Sequence, residues 1–199
     1  MTKKEMLNEI IENNSGYIKT FDVVKAGISK TYFAQYIQEN NLERVAHGIY
    51  ISENEIIDDE YILQMRYPGA IFSHETAAFY LDYAERIPVK TTITLRAGTG
   101  STVLSKEDIK IYKVKDELFE VGLIEITTLF GNKIRSYNAE RTICDFVRSR
   151  KYIEYQEFQA VLKAYARSKE KDIQQLIKYA KLFSIEKEVM HYIQILLPG

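Results

Sequence analysis

The chain has 199 residues, 46% of them hydrophobic and 28% charged, with a formal net charge of −1. This composition excludes a disordered or fibrous chain, and the near-neutral balance excludes a globally basic surface, so any attraction to nucleic-acid phosphate must be local. A single cysteine, Cys144, excludes an intramolecular disulfide, and the lack of a secretory leader or a bilayer-length apolar run sets the expectation of a cytoplasmic protein.

In chain order, Lys3 to Asn13 is expected to form a first helix, with Met6, Leu7, Ile10 and Ile11 on one side and Asn13-Asn14-Ser15-Gly16 ending it. Tyr17-Ile18-Lys19 reads as a short strand. Thr20 is placed to cap a second helix from Phe21 to Ala26, and Gly27 to turn the chain into a third. The third helix opens at Ser29, a good N-cap residue, and carries Ile28, Phe33, Tyr36 and Ile37 as an apolar stripe. Lys30, Thr31, Tyr32, Gln35 and Gln38 fall mostly off that stripe. They are the residue types that reach phosphates and base edges. Leu42, Val45, Ile49 and Ile51 then alternate on either side of Ala46-His47-Gly48, a hairpin that carries Arg44 and His47. Two helices joined through a glycine turn, followed by a β-ribbon, outline a winged helix-turn-helix over residues 1–52.

The remainder, 53–199, reads as a second domain. An acidic connector leads to a helix from Glu55 to Tyr67, broken by Pro68-Gly69. Asp58-Asp59-Glu60 is expected to be a solvated helix start. Ala70-Ile71-Phe72 is a short strand, and Ser73 a cap for the helix that follows. Thr91 to Leu95, Ile109 to Val114, Leu123 to Thr127 and Lys133 to Ser136 read as strands, giving a mixed sheet over about 70–136. Asn138 is placed to cap a helix from Ala139 to Arg148, the start of a helical bundle over 138–197. The fold class is therefore α+β: a winged helix-turn-helix, then an α+β domain with a mixed sheet and a C-terminal helical bundle.

The candidate DNA contacts are Lys19 and Thr20 before the second helix, Ser29, Lys30, Thr31, Tyr32 and Gln35 on the third, and Arg44 and His47 on the ribbon. A second basic run, Lys133, Arg135, Arg141, Arg148, Arg150 and Lys151, is a candidate partner surface. Its alternative is a solvated helix face, in which Arg141 and Asp145 pair at i, i+4. Signals for catalysis are poor. The loop Arg96 to Thr102 has the glycines of a phosphate cradle without the Gly-Lys-Ser/Thr ending. His74-Glu75 lacks a second histidine at i+4, and His47, His74 and His191 are far apart, so neither a metal nor a cofactor is expected. Cys144 reads as a buried small apolar side chain.

Five segments in this order, GISKTYF (27–33), LERVAHGIY (42–50), IFSHETAA (71–78), PVKTTITL (88–95) and NAERTICDF (138–146), give the chain its resemblance to the AbiEi antitoxins of bacterial abortive-infection systems. The resemblance implies a non-enzymatic phage-defence protein in two parts. The N-terminal part binds inverted repeats in double-stranded DNA at the promoter of its own operon, as a transcriptional repressor. The C-terminal part counteracts a cognate nucleotidyltransferase toxin in the type IV manner, without a stable complex. Inverted repeats suggest two copies on DNA of a chain that is monomeric in solution. The alternative is a protein-interaction module that binds the toxin directly, with DNA binding minor. At the ribbon, Ala46-His47 stands where the family pattern leads one to expect more basic character.

Overall fold

The computed structural model describes residues 1–100, 104 and 107–196. It is an α+β protein with ten α-helices, a three-stranded sheet and a mixed five-stranded sheet among the described residues. The chain divides into two compact units: Met1–Arg66 with Leu129–Asn132, and Tyr67–Thr128 with Lys133–Gly199. The first unit thus reaches beyond residue 52, and it takes in the helix after the hairpin.

In the first unit, α1 (Lys3–Asn13) is held at its start by a capping box, in which Thr2 and Glu5 bond each other's backbone N–H. β1 (Tyr17–Lys19) leads into α2 (Thr20–Lys25), and Gly27, at φ +80°, makes the turn into α3 (Lys30–Glu39). β2 (Glu43–Ala46) and β3 (Ile49–Ile51) form a hairpin, and β1 adds antiparallel to β3, in the order β1-β3-β2. Leu7, Ile18, Val23, Ile28, Phe33, Tyr36 and Leu42 make one core. The helical stripe read from the sequence lies in this core, whereas the alternating Ile49 and Ile51 of β3 pack in a second one, with Tyr17 and Ile62. Thr20 is not a cap: it is the first residue of α2, and its N–H donates to the carbonyl of Gly48 at 2.8 Å. The hairpin turn thereby satisfies one of the free N–H groups at the start of α2.

α4 (Asp59–Arg66) starts four residues later than the apolar spacing suggested. Asp58 sets the start and is fully buried, not solvated. Its Oδ1 accepts from the Tyr61 N–H at 3.0 Å, and its Oδ2 accepts from Asn132 Nδ2 at 2.8 Å. The Tyr17 hydroxyl accepts from the Asp58 N–H at 2.9 Å. Each carboxylate oxygen of Asp58 thus has a donor, and the residue caps the start of α4.

The second unit is built on a sheet of order β6-β5-β4-β8-β7: β4 (Ile71–Phe72), β5 (Thr91–Arg96), β6 (Ile109–Val114), β7 (Leu123–Thr127) and β8 (Lys133–Tyr137). The pairs β5–β6 and β4–β8 are parallel; β4–β5 and β7–β8 are antiparallel. α5 (His74–Tyr80) follows β4, and α6 (Asp116–Phe119), a four-residue helix with no legible periodicity, follows β6. α7 (Ala139–Arg148) is capped by Asn138, whose Oδ1 accepts from the Arg141 N–H at 3.0 Å. Around it pack α8 (Tyr155–Arg167), α9 (Ile173–Leu182) and α10 (Glu186–Leu196). Residues 140–147 of α7 are all buried, so the helix is the axis of this unit's core. Cys144 lies in that core, and burial pushes its thiol up to about 12. Part of the expected glycine loop, Ser101 and Thr102, and the last bundle position, Leu197, lie outside the described residues.

Gly122, at φ +79°, is required by close approach. A Cβ there would stand 2.5 Å from Arg141 Cβ and 2.8 Å from Asn138 Oδ1. Gly122→Ala should therefore destabilise the chain by about 2–4 kcal/mol, a clash added to a left-handed backbone. Urea denaturation of the variant against the parent measures it, and a change under about 0.5 kcal/mol would refute the crowding.

Candidate nucleic-acid interface

α3 presents two opposite faces. Phe33 and Tyr36 point inward and are buried; Lys30, Thr31, Ala34, Gln35 and Gln38 are exposed in a continuous outward stripe. Ser29 caps the helix, accepting from the Tyr32 N–H at 3.3 Å. The first-turn N–H groups and Lys30 thus share one end of the stripe, an arrangement suited to phosphate. Tyr32 does not belong to the outward stripe as a free aromatic. It is half-buried against the core, with Lys3 Nζ 5.5 Å from its ring centre. Lys3 thereby stands beside the start of α3, a cation the sequence reading missed because it belongs to a different helix.

The hairpin is fixed to α3 by an edge-to-face contact of Phe33 and Tyr50, with ring centres 5.5 Å apart. Arg44 Nε donates to the Ala46 carbonyl at 3.3 Å, and its Nη2 lies 3.1 Å from His47 Nδ1. Both side chains are exposed, so ribbon geometry brings these two residues together. Lys19 pairs with Asp22 at 3.5 Å. Gln35 Nε2 donates to Glu39 Oε1 at 2.7 Å, one turn along the same helix. Acidic residues outnumber basic ones in Met1–Arg66. Lys3 and Lys30 lie at the start of α3 and Arg44 on the ribbon, while Lys19 is paired with Asp22.

The second basic run is not one surface. Arg141 is fully buried. Its Nε donates to Asp145 at 3.0 Å, and its Nη1 donates to the carbonyls of Leu118 and Val121 at 2.8 and 2.7 Å. Its guanidinium lies between the rings of Tyr137 and Phe183, 3.9 and 4.4 Å from their centres. Arg148 shares Asp145 at 3.3 Å. Lys133 pairs with Glu125 at 2.8 Å, and Arg135 donates to the Pro68 carbonyl at 3.1 Å. Arg150 and Lys151 sit in a 3-10 turn after α7, each against aromatic rings. The i, i+4 pairing of Arg141 with Asp145 holds, but as a core ion pair and not on a solvated face.

The second unit also assembles a buried polar cluster from residues far apart in sequence. His74 is 2% exposed and adopts φ +48°, which turns its ring inward. Its Nδ1 lies 3.0 Å from Ser73 Oγ, its Nε2 lies 3.1 Å from Ser149 Oγ, and the ring stacks on Tyr112 at 3.5 Å. Ser73, expected to cap α5, makes no such bond, because its hydroxyl faces His74 and accepts from Thr94 at 2.9 Å. Thr92 replaces it from the neighbouring strand: its Oγ1 accepts from the Thr76 N–H at 2.9 Å, and the Thr76 hydroxyl accepts from the Thr92 N–H at 2.8 Å. Beside them Lys110 donates to Glu75 at 2.6 Å and to the Tyr152 carbonyl at 3.0 Å. Burial, reinforced by the cations Lys110, Arg141 and Arg148, holds His74 well below the ordinary histidine range.

Because the unfolded chain binds this proton more readily, stability should fall as pH drops through about 6.5, by up to about 1.4 kcal/mol per unit. Guanidinium denaturation at pH 7.5 and 5.5 tests this. The parent should lose stability between them, and His74→Gln should show a flatter dependence; identical slopes would contradict it.

Among the described residues, no group of three His, Cys, Asp or Glu side chains is placed to hold a metal, and no helix is long and apolar enough to cross a membrane. No family model matches the chain, and no curated protein matches it. Among solved structures it is similar to the crystal structure of RV2827C protein from Mycobacterium tuberculosis. The likeness is 11% in sequence identity with a TM-score of 0.60, over 98% of this chain and 80% of that one, and it is a likeness of fold.

Proposed function

We propose that the first unit is a winged helix-turn-helix and that the protein is a DNA-binding autorepressor and antitoxin of the AbiEi kind. The observation that carries the DNA reading is the outward stripe of α3, with Lys30 and the helix N-terminus at one end and Arg44–His47 on the adjoining ribbon. In this reading α3 enters the major groove, Lys30 and the first-turn N–H groups hold a phosphate, and Gln35 leaves Glu39 to bond an adenine edge. Arg44 and His47 contact the flanking backbone. Two copies on an inverted repeat block polymerase. The antitoxin part rests on the five-segment resemblance and its implied partner, a nucleotidyltransferase toxin countered without a stable complex.

One observation favours a protein partner instead. Phe21 and Val24, one helical turn apart on α2, are 72% and 46% exposed, an apolar pair suited to a protein contact. Fluorescence anisotropy of the full chain on a duplex from upstream of its own gene, at about 50 mM salt, separates the readings. Tighter binding there than to a scrambled duplex supports the repressor. Equal binding to both, with co-elution of the neighbouring gene's product, supports the interaction module.

A further inference from the structure

We infer that the cleft between α8 and α10 is a binding site for a small organic anion with a flat aromatic body, the class to which mononucleotides belong. The cleft encloses about 320 Å³, within the roughly 300–1,000 Å³ that small-molecule sites occupy. Its walls include Arg150, Tyr155, Phe158, Lys163, His191 and Tyr192, and among the described residues no carboxylate lines it. Phe158 and Tyr192 meet edge to face, with ring centres 5.3 Å apart, giving a rigid aromatic wall.

Arg150 stands at that wall, its guanidinium 5.5 Å from the Phe158 ring centre and 5.7 Å from that of Tyr192. Arg96, Arg135, Arg141 and Arg148 of the same unit each meet a carboxylate. Arg150 has none in ion-pair range among the described residues, and neither has Lys163; Arg86 and Arg167 also lack one but do not line the cleft. A guanidinium held in place by rings and lacking an acid is prepared for a bidentate anion. Lys163 lies two turns along α8 from Tyr155, on the same face, and adds a second positive charge. Gln159 donates to the Tyr155 hydroxyl at 2.7 Å, which orients that phenol and leaves its own O–H available to a ligand. Tyr155 and Tyr192, backed by the buried Phe158, would flank the flat body, while Arg150 and Lys163 would take the anion. A site of this size suits one nucleotide, and it lies in the unit that carries no part of the proposed DNA surface.

Isothermal calorimetry on the full chain with AMP, adenosine and inorganic phosphate tests the inference. AMP should bind with a dissociation constant below about 1 mM, and adenosine and phosphate should each bind at least about tenfold more weakly. Arg150→Gln and Lys163→Gln, both at exposed positions, should weaken AMP about tenfold while leaving the melting temperature within about 2 °C. No heat from AMP up to about 1 mM overturns the site. Binding untouched by either substitution overturns it too. So does an acidic amphipathic peptide that binds at micromolar concentration through Arg150 while AMP does not; it would make the cleft a protein groove.

Discussion

Replacing Arg141 by Met is expected to lower stability by about 3–5 kcal/mol. The substitution keeps much of the side chain's volume, so the loss is electrostatic. It strips Asp145 of its closest guanidinium inside the core and leaves the carbonyls of Leu118 and Val121 without their donor. It also removes a cation held 3.9 Å from the Tyr137 ring centre. Arg148, at 3.3 Å, remains on Asp145 but is one-third exposed and cannot reproduce that geometry. The double variant Arg141→Met with Asp145→Leu should recover a large part of the loss, because a buried pair replaced entirely by apolar groups costs far less than one left half-broken. Denaturant titrations of the two single variants and the double variant measure this coupling. If the double variant is as unstable as the sum of the singles, the ion pair is not the source of the effect.

The second large effect is expected on DNA. Lys30→Ala should weaken binding about tenfold at low salt and flatten the logarithmic salt dependence by roughly 1, as the loss of one phosphate contact requires. Arg44→Ala should do the same from the ribbon, and the two together should flatten it by roughly 2. Gln35→Ala should act differently. It leaves the salt dependence unchanged and relaxes preference at one base position by about 1–3 kcal/mol. Titrations on the upstream duplex and a scrambled duplex at several salt concentrations separate these outcomes. A Gln35→Ala loss equal on both duplexes would remove that residue from base recognition.

The difference between what could and could not be read from sequence has a physical cause. Local signals survived. The stripe Ile28, Phe33, Tyr36, Ile37 is set within a single helix and its approach, and the caps at Ser29 and Asn138 by residues three positions away. Strands β6 and β7 also began and ended where alternation placed them. Readings that depended on distant partners failed. Thr20 and Ser73 are good capping types, but Gly48 serves the N–H of Thr20 and Thr92 serves that of Thr76. Asp58 resembled a solvated acid until Tyr17 and Asn132 closed around it from positions 41 and 74 residues away.

The same holds for the candidate sites. Lys30, Gln35, Arg44 and His47 are exposed where periodicity placed them. Arg141 looked like one more surface cation in a basic run, yet its burial depends on carbonyls in α6 and the turn after it. The only local hint was its i, i+4 relation to Asp145. The His74 cluster had no sequence signal, since Ser149 and Tyr112 join it across the fold.

Nuclease-protection footprinting of the DNA upstream of the protein's own gene, at about 50 mM salt, tests the central claim most directly. The account predicts two protected segments related by inverted symmetry, with centres about 10 base pairs or a multiple of that apart, both needing about tenfold more protein after Lys30→Ala. Uniform cleavage across the region, with and without the protein, would contradict it.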